Sequence, residues 1–407
     1  MVQSTVSVMI PTSSDKTESV TYTFNNSLAR SIAQQISDAL YAASPLTVTS
    51  VGGGGSIPAP GGGAQHLVLT GSPSGSVPAG YGFIADVAGT ATTVMAGPDT
   101  SLIVSTGGGL FQLAGNATIA ASGGDNVVSQ TGAGTVQIAI DGGGLNVITA
   151  EGSGTITGST GANLMNLTGD DLIVSYGNDT INASGNSTVF GGSGSMLFVG
   201  GAGTSTILGG TGATSVTAGA GGVVFSVNTD DNATVNASAG TATVFGAGGQ
   251  NIFLVGTSGT ADQPNALVTS GGAETLNAAG SSGAVWMSQS QDDNSTLMIA
   301  GSGNDTLIAG MAGGSATMVG GSGADRFVFF KQATGGGSDV IANFTGADRV
   351  FIEGYAATGS ASQLQDDAIV GSGGVTLTLS DNTSITFSNL TSASQLDGMI
   401  HYGGAVT

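Results

Sequence analysis

Residues 301–330 read GSGNDTLIAGMAGGSATMVGGSGADRFVFF. Three apolar runs, TLIA (306–309), ATMV (316–319) and RFVFF (326–330), alternate with Gly-rich turns. Each run is too short for a helix and rich in β-branched or aromatic residues, so each is a strand. The glycines supply positive-φ bends that reverse the chain. Asp305 and Asp325 hold the same place in two GSGxD turns, twenty residues apart. Two strand–turn units therefore make one coil of roughly 18–20 residues, the signature of a parallel β-solenoid.

The same rhythm extends outward from this stretch. Between 101 and 330 it gives SLIVS (101–105), DLIVS (171–175), MLFVGG (196–201), STILGG (205–210) and NIFLVG (251–256), among others. One coil cannot bury its apolar face, but stacked coils share a continuous narrow core. Roughly twelve coils, about 4.8 Å apart, fit this stretch. The expected fold is all-β: a parallel β-solenoid (β-roll or β-helix) with a small N-terminal α+β domain and a C-terminal β end module.

The flanks read differently. Residues 1–50 carry alternating strands at 2–10 and 19–24 and an amphipathic helix over 25–43, capped by Asn26 or Ser27. Its stripe of Leu28, Ile32, Ile36 and Leu40 suits packing within this small domain or a contact between protomers. Residues 51–64, VGGGGSIPAPGGGA, have linker composition. Residues 65–100 read as a transitional β segment, 101–330 as the solenoid repeats and 331–407 as a capping and export module. In that module Asp339–Ala342 and Arg349–Glu353 read as strands. Val375, Leu377 and Leu379 face Ile385 and Phe387 across a turn at 380–383, a hairpin pattern. Residues 392–400 read as a short helix.

Composition narrows the function. The 407 residues include 26 acidic and 5 basic ones, for a net charge of −21. Such a chain repels nucleic-acid phosphates and anionic lipid. No apolar run reaches membrane-spanning length, so membrane insertion is not expected. Cysteine is absent, which excludes disulfides and thiolate metal sites. The N-terminus MVQSTVSVMIPTSSDK lacks a basic start followed by an apolar core, so it does not read as a secretory signal peptide. Acidic turns with few basic partners suit either hard cations or solubility through net charge.

Gly-x-Asp followed by a strand occurs in TGDDLIV (168–174), YGNDTINAS (176–184), GSGNDTLIAG (301–310) and GGSGADRFVF (320–329). The glycines let the turn coil tightly and aim carbonyls inward, and the Asp adds a charged oxygen where the strand begins. Two such turns, stacked one coil apart, offer about six oxygens to a Ca²⁺ ion.

These nonapeptides resemble the RTX, or haemolysin-type, calcium-binding repeats of proteins exported by type I secretion. The stretch GGSGADRFVFFKQATGGGSDVIANFTGADRVFIEGY (320–355) is similar to the C-terminal boundary of that family. The resemblance covers 301–400 in motif and 101–300 in rhythm. It implies carbonyl ligands from Gly301, Gly303, Gly321 and Gly323 and carboxylate ligands from Asp305 and Asp325. Asp171 and Asp179 match too, but the turns one coil later lack Asp. The resemblance also implies export by the type I machinery, an extracellular or cell-surface location, and folding coupled to Ca²⁺.

Catalysis has little support in the sequence. There are two histidines, His66 and His401, with no HExxH and no GxSxG motif. The carboxylate pairs Asp170/Asp171, Asp230/Asp231, Asp292/Asp293 and Asp366/Asp367 are sequence neighbours. In a strand such neighbours point to opposite faces. Two functions remain. One is self-assembly into a surface layer, filament or biofilm matrix. The other is adhesion to ice or a polysaccharide through outward threonines such as Thr118, Thr155, Thr180, Thr188, Thr206, Thr234, Thr243, Thr296, Thr306 and Thr317. The lone Trp286 reads as a half-buried aromatic or a sugar platform. An enzyme acting on a polysaccharide comes third.

Overall fold

The computed structural model describes residues 4–402 apart from 14–15, 25–26, 43–46, 62–64, 90, 97–100, 229–231, 249–250, 270, 272, 290–294, 310–313, 332–335 and 356–359. Strand accounts for 51% and helix for 5%, so the chain is all-β, and its strands wind into a parallel β-solenoid of about 15 turns. Two compact units are distinguished, Met1–Ser205 and Thr206–Thr407.

Within Met1–Ser205, alternate strands pair in parallel to form two sheets. One runs through Ser101–Ser105, Ala117–Ser122, Thr135–Asp141, Ser153–Thr157, Asp171–Val174 and Ser187–Phe190. The other runs through Thr92–Met95, Gly109–Ala114, Asn126–Thr131, Leu145–Ala150, Ala162–Leu167, Asn178–Ala183 and Met196–Gly200. Parallel register stacks like on like. Ile103, Ile119, Ile138, Ile156, Ile173 and Val189 form one buried column, and Val94, Phe111, Val128, Ile148, Met165, Ile181 and Phe198 form another. Each such side chain contributes about 1.5–3 kcal/mol through burial.

The parallel ladder begins well before residue 101. Thr47–Val51 pairs with Gln65–Leu69, which pairs with Phe83–Asp86, which pairs with Ser101–Ser105. Ser56 bridges Ser74, so the described part of the Gly/Pro stretch is a return within the first coil. Ahead of it, Ser4–Ser13 and Lys16–Phe24 form an antiparallel hairpin. The helix Ser27–Ala42 packs on Ser4–Ser13 and against Ser101–Ser105, Ala117–Ser122 and Thr135–Asp141. Ile32 and Ala33 of its stripe are buried. The side chains of Leu28, Ile36 and Leu40, and the cap at Asn26, lie outside the described residues.

Within Thr206–Thr407 the two-sheet pattern recurs. Phe225, Val244, Leu267, Met287, Leu307, Phe327, Val350 and Ile400 form a column in register, buried throughout. Ser338–Ile341 and Arg349–Glu353 continue the parallel ladders into the end module. There the hairpin Gly374–Thr378 with Ser384–Phe387 docks on Ser338–Ile341. Its turn carries Asn382 at φ 69°. A helix not read from the sequence, Ala361–Asp366, starts in a reciprocal cap between Ser360 and Gln363. Residues 392–400 supply a 3₁₀ turn, Ala393–Leu396.

The glycines act chiefly through close approach rather than through positive φ. A Cβ on Gly177 would stand 1.7 Å from the Gly161 carbonyl oxygen of the preceding coil. Only a residue without a side chain permits this stacking. Gly177→Ala is expected to cost about 1–3 kcal/mol in urea unfolding. Gly143→Ala, with nothing within 4 Å of the added methyl, is expected to stay within about 0.5 kcal/mol.

Candidate functional site

Parallel coils pair their strands, but the corners leave backbone N–H groups outside the ladders. A buried N–H without a partner costs about 1–3 kcal/mol. In this chain the corners are closed by Asn and Asp side chains placed where strands begin, and the residues singled out in the sequence belong to that set.

Asp305 and Asp325 do stack on one edge, as their spacing predicts, because Thr306 pairs with Arg326 in the next coil. Both are buried, at 0% and 2% exposure. The Val285 N–H donates to Asp305 Oδ1 at 2.7 Å and the Gly301 N–H to Oδ2 at 3.1 Å. The Asp305 N–H donates to Asp325 Oδ1 at 2.9 Å. The Asp325 N–H then donates to Asp348 Oδ1 at 3.0 Å, and Thr345 donates to Asp348 Oδ2 at 2.7 Å. Each carboxylate thus binds the backbone one coil back. Asp339 does the same on the other sheet, where the Ala316 N–H donates at 2.8 Å.

The glycines of these turns pack against one another. Gly321 (φ +87°) and Gly323 (φ +143°) sit so close to Gly301 and Gly303 that an added Cβ would stand 1.9 and 2.0 Å from their carbonyl oxygens. The Gly301 carbonyl accepts from the Ser322 N–H at 3.0 Å.

Asp171 and Asp179 are not brought together, because they open strands in different sheets. Their next-coil neighbours are Ser187 and Met196. The Gly154 N–H donates to Asp171 Oδ1 at 3.0 Å, while Oδ2 is buried without a hydrogen bond. Asp179 ends a chain of amides. The Asn126 side-chain amide donates to Asn146 Oδ1 at 2.9 Å, and the Asn146 amide to Asn163 Oδ1 at 2.9 Å. The Asn163 amide donates to Asp179 Oδ1, and the Ser175 hydroxyl donates to Oδ2. A row of amides pointing one way needs an acceptor at its end, and a carboxylate is acceptor-only.

A pattern unites most of these contacts. In the adjacent pairs 170–171, 178–179 and 304–305 the buried residue reaches back a coil and the exposed one reaches forward, while in 125–126 only the exposed Asp125 follows it, the Asn126 amide donating forward to Asn146. Asn304 accepts from the Ala324 N–H at 2.9 Å. Asp170 accepts from the Asn186 N–H at 2.8 Å, Asn178 from the Ser195 N–H at 2.9 Å, and Asp125 from the Leu145 N–H at 2.8 Å. The alternating side-chain direction of a strand makes this possible. Asn126, Asn146, Asn163 and Asn304 were not singled out from the sequence. Asn126 and Asn304 carry the signal of an Asn/Asp dipeptide, whereas Asn146 and Asn163 carry only their spacing of about one coil. The pairs at 230–231 and 292–293 lie outside the described residues.

Burial raises the pKa values of four of these carboxyls. Asp305 is pushed up to about 6 by desolvation, against the N–H bonds from Val285 and Gly301. Asp325 is pushed up to about 7, by desolvation first and then by the charges of Asp305 and Asp348. Desolvation pushes Asp339 up to about 7 and Asp171 to about 6.

A Ca²⁺ ion takes about six to eight oxygens. Here Asp305 presents both oxygens to N–H donors, and Asp325 presents one. Among the described residues no group of three or more acidic or histidine side chains is placed to hold a metal. As arranged, Asp305 and Asp325 form a hydrogen-bonded staple between successive coils. No protein-family model, curated protein or solved structure matches the chain.

The staple reading has a pH signature. These carboxyls have folded pKa values above the unfolded value, so the folded chain holds extra protons. Stability is therefore highest below about pH 4 for this group and falls as pH rises through 6 and 7. Melting in chelator, followed by circular dichroism, is expected to occur several degrees higher at pH 5 than at pH 8. Asp325→Asn should raise the pH 8 melting point and flatten the dependence. Asp305→Ala should cost about 1–3 kcal/mol for each of the two N–H groups it orphans. A β signal that appears only on adding Ca²⁺ would contradict the staple.

Proposed function

We propose that this chain is a structural protein of the bacterial exterior that assembles with copies of itself into a layer, filament or matrix. The observation that carries the reading is an open apolar edge in the end module. The strand Ile369–Gly371 pairs on one side with Gly374–Thr378. Among the described residues it has no partner on the other side. Its side chains stand out into solvent, Ile369 at 66% and Val370 at 52% exposure. Such an edge is a template for adding a strand from another chain. Proteins that stay monomeric blunt such edges by shortness, charge, proline or a covering loop; Ile369–Gly371 is short but carries neither charge nor proline.

The outer faces support the same reading. In Met1–Ser205, Leu110, Val127, Val147, Leu164 and Leu197 fall in one outward column, broken once by Thr180. The threonines do not line up into a continuous ladder. Thr118, Gln137, Thr155, Leu172 and Thr188 alternate along one column, Thr234 stands beside Phe253, and Thr296 is buried. A flat ice-binding lattice is the weaker reading on that register. The extracellular location and the type I export route are part of the proposal and rest on the Gly-x-Asp resemblance. Scaffolding itself needs no bound calcium.

Purified protein is expected to form ordered particles that grow with concentration in negative-stain electron microscopy. The double variant Ile369→Lys with Val370→Lys should stay monomeric in sedimentation while keeping its circular dichroism spectrum. Wild-type protein that remains monomeric at the highest concentration reached would sink the reading.

A further inference from the structure

The 407 residues contain only 5 Lys and Arg. Three of them, Arg326, Lys331 and Arg349, fall in the last coils of Thr206–Thr407. Register sets two of them in a line. Trp286 pairs with Thr306, Thr306 with Arg326, and Arg326 with Arg349, so the four side chains lie along one outward column. All four are half-buried. At about 4.8 Å per strand the column spans about 14 Å.

The neighbouring column adds flat rings. Phe351 pairs with His401 in register, and the two rings stack at 4.8 Å with 12° between their planes. The Arg326 guanidinium lies over the Phe351 ring, 4.5 Å from its centre. Arg326 Nε is buried and makes no hydrogen bond. Arg349 donates to the carbonyls of its own turn, Gly346 at 3.2 Å and Asp348 at 2.6 Å. Lys331 lies 5.9 Å from the Tyr355 ring. None of the three cations makes an ion pair among the described residues.

We infer that this column is a binding site for an acidic polysaccharide, a chain of carboxylate-bearing sugars. Guanidinium forks match carboxylates in a planar, two-bond geometry. The half-buried Trp286 at the end of the column offers an aromatic face to the C–H face of a sugar ring, and Thr306 offers a hydroxyl between it and the guanidinium groups. A line of about 14 Å matches a few sugar residues rather than a single small anion. A second copy of this chain is a poorer partner, since Asp171, Asp179, Asp305, Asp325, Asp339 and Asp348 are turned inward onto N–H donors. The inference does not depend on self-assembly, because the column lies apart in sequence from the edge Ile369–Gly371.

Trp286 is the only tryptophan, so its fluorescence reports on this site alone. The test titrates the full chain with oligogalacturonate in chelator, with a neutral maltooligosaccharide as control. A saturable change in Trp286 emission is expected with the acidic sugar only. It should weaken about tenfold in each of Arg326→Gln and Arg349→Gln, the loss of one charge-assisted contact. Raising the salt should weaken it further. Arg326→Lys, which keeps the charge and loses the fork, should fall between. Arg349→Gln guards against misfolding, since its side chain reaches only its own turn, and thermal melting checks both variants. The inference fails if emission does not respond, if the neutral sugar acts equally, or if both Gln variants bind as wild type. It fails equally if emission changes with protein concentration alone, which would assign the column to a second copy.

Discussion

The structure depends on satisfying backbone N–H groups at corners where no strand lies alongside. Strand pairing between coils repeats at about 4.8 Å and takes care of the straight segments. At the corners the chain must turn, and each turn stacks against that of the next coil. A short side chain with an oxygen three bonds from Cα fits this geometry, which is why Asn and Asp open so many strands. Asn304 and Asp305 close the coil ahead and the coil behind from adjacent positions. Gln130 does comparable work with a longer reach. Its amide donates to Gly115, Thr131 and Gly132 carbonyls, and its oxygen accepts from Glu151 and Gly152. The apolar columns supply most of the burial, but they are interchangeable in register. The corner contacts fix which residue of one coil sits over which residue of the next, so they set coil length, from 16 residues between Asn163 and Asp179 to 23 between Asp325 and Asp348.

Asparagine and aspartate divide this work on physical grounds. An amide donates and accepts, so Asn126, Asn146 and Asn163 pass a hydrogen bond from coil to coil. The row needs a terminus that only accepts, and Asp179 provides it just before Met196 takes the position. Where the neighbours offer N–H groups alone, as Val285 and Gly301 do to Asp305, a carboxylate is the better acceptor. Its burial carries a desolvation cost, and the raised pKa values of Asp305, Asp325 and Asp339 express that cost. Proton uptake is the cheapest relief open to the folded chain.

The fold was legible because stacking imposes a rhythm that composition cannot hide. Short apolar runs and Gly turns from 101 to 330 sufficed for the solenoid. Residues 47–100 were less legible, since their Gly/Pro content resembles a linker. Pairing of Thr47–Val51 with Gln65–Leu69 across that stretch is a long-range fact. The site was half legible. Spacing placed Asp305 over Asp325 correctly, but a Gly-x-Asp turn does not reveal what faces the carboxylate. Donors from a coil twenty residues away decide that. The column from Trp286 to Arg349 was not legible at all, because coils of unequal length hide its register until the strands are paired.

These observations also separate interior chemistry from surface chemistry. Many of the acids that dominate the composition are spent inside, on corners, and are not free to confer the character that −21 suggests. What the molecule presents outward is partly apolar, as at Leu164, Leu197, Ile369 and Val370, and in one place cationic. The register of a scaffold built this way is set by neutral and N–H-bound groups. Its contacts with other molecules then fall to the few positions where the outer columns depart from small polar residues. Such departures occur in the earlier coils, as at Val127, Leu145, Leu164 and Phe253, and again in the last coils and the end module, as at Arg326, Arg349, Ile369 and Val370. Among the described solenoid strands cationic side chains occur only at Arg326 and Arg349, so it is the register of those coils, and not composition, that lines up two guanidinium groups.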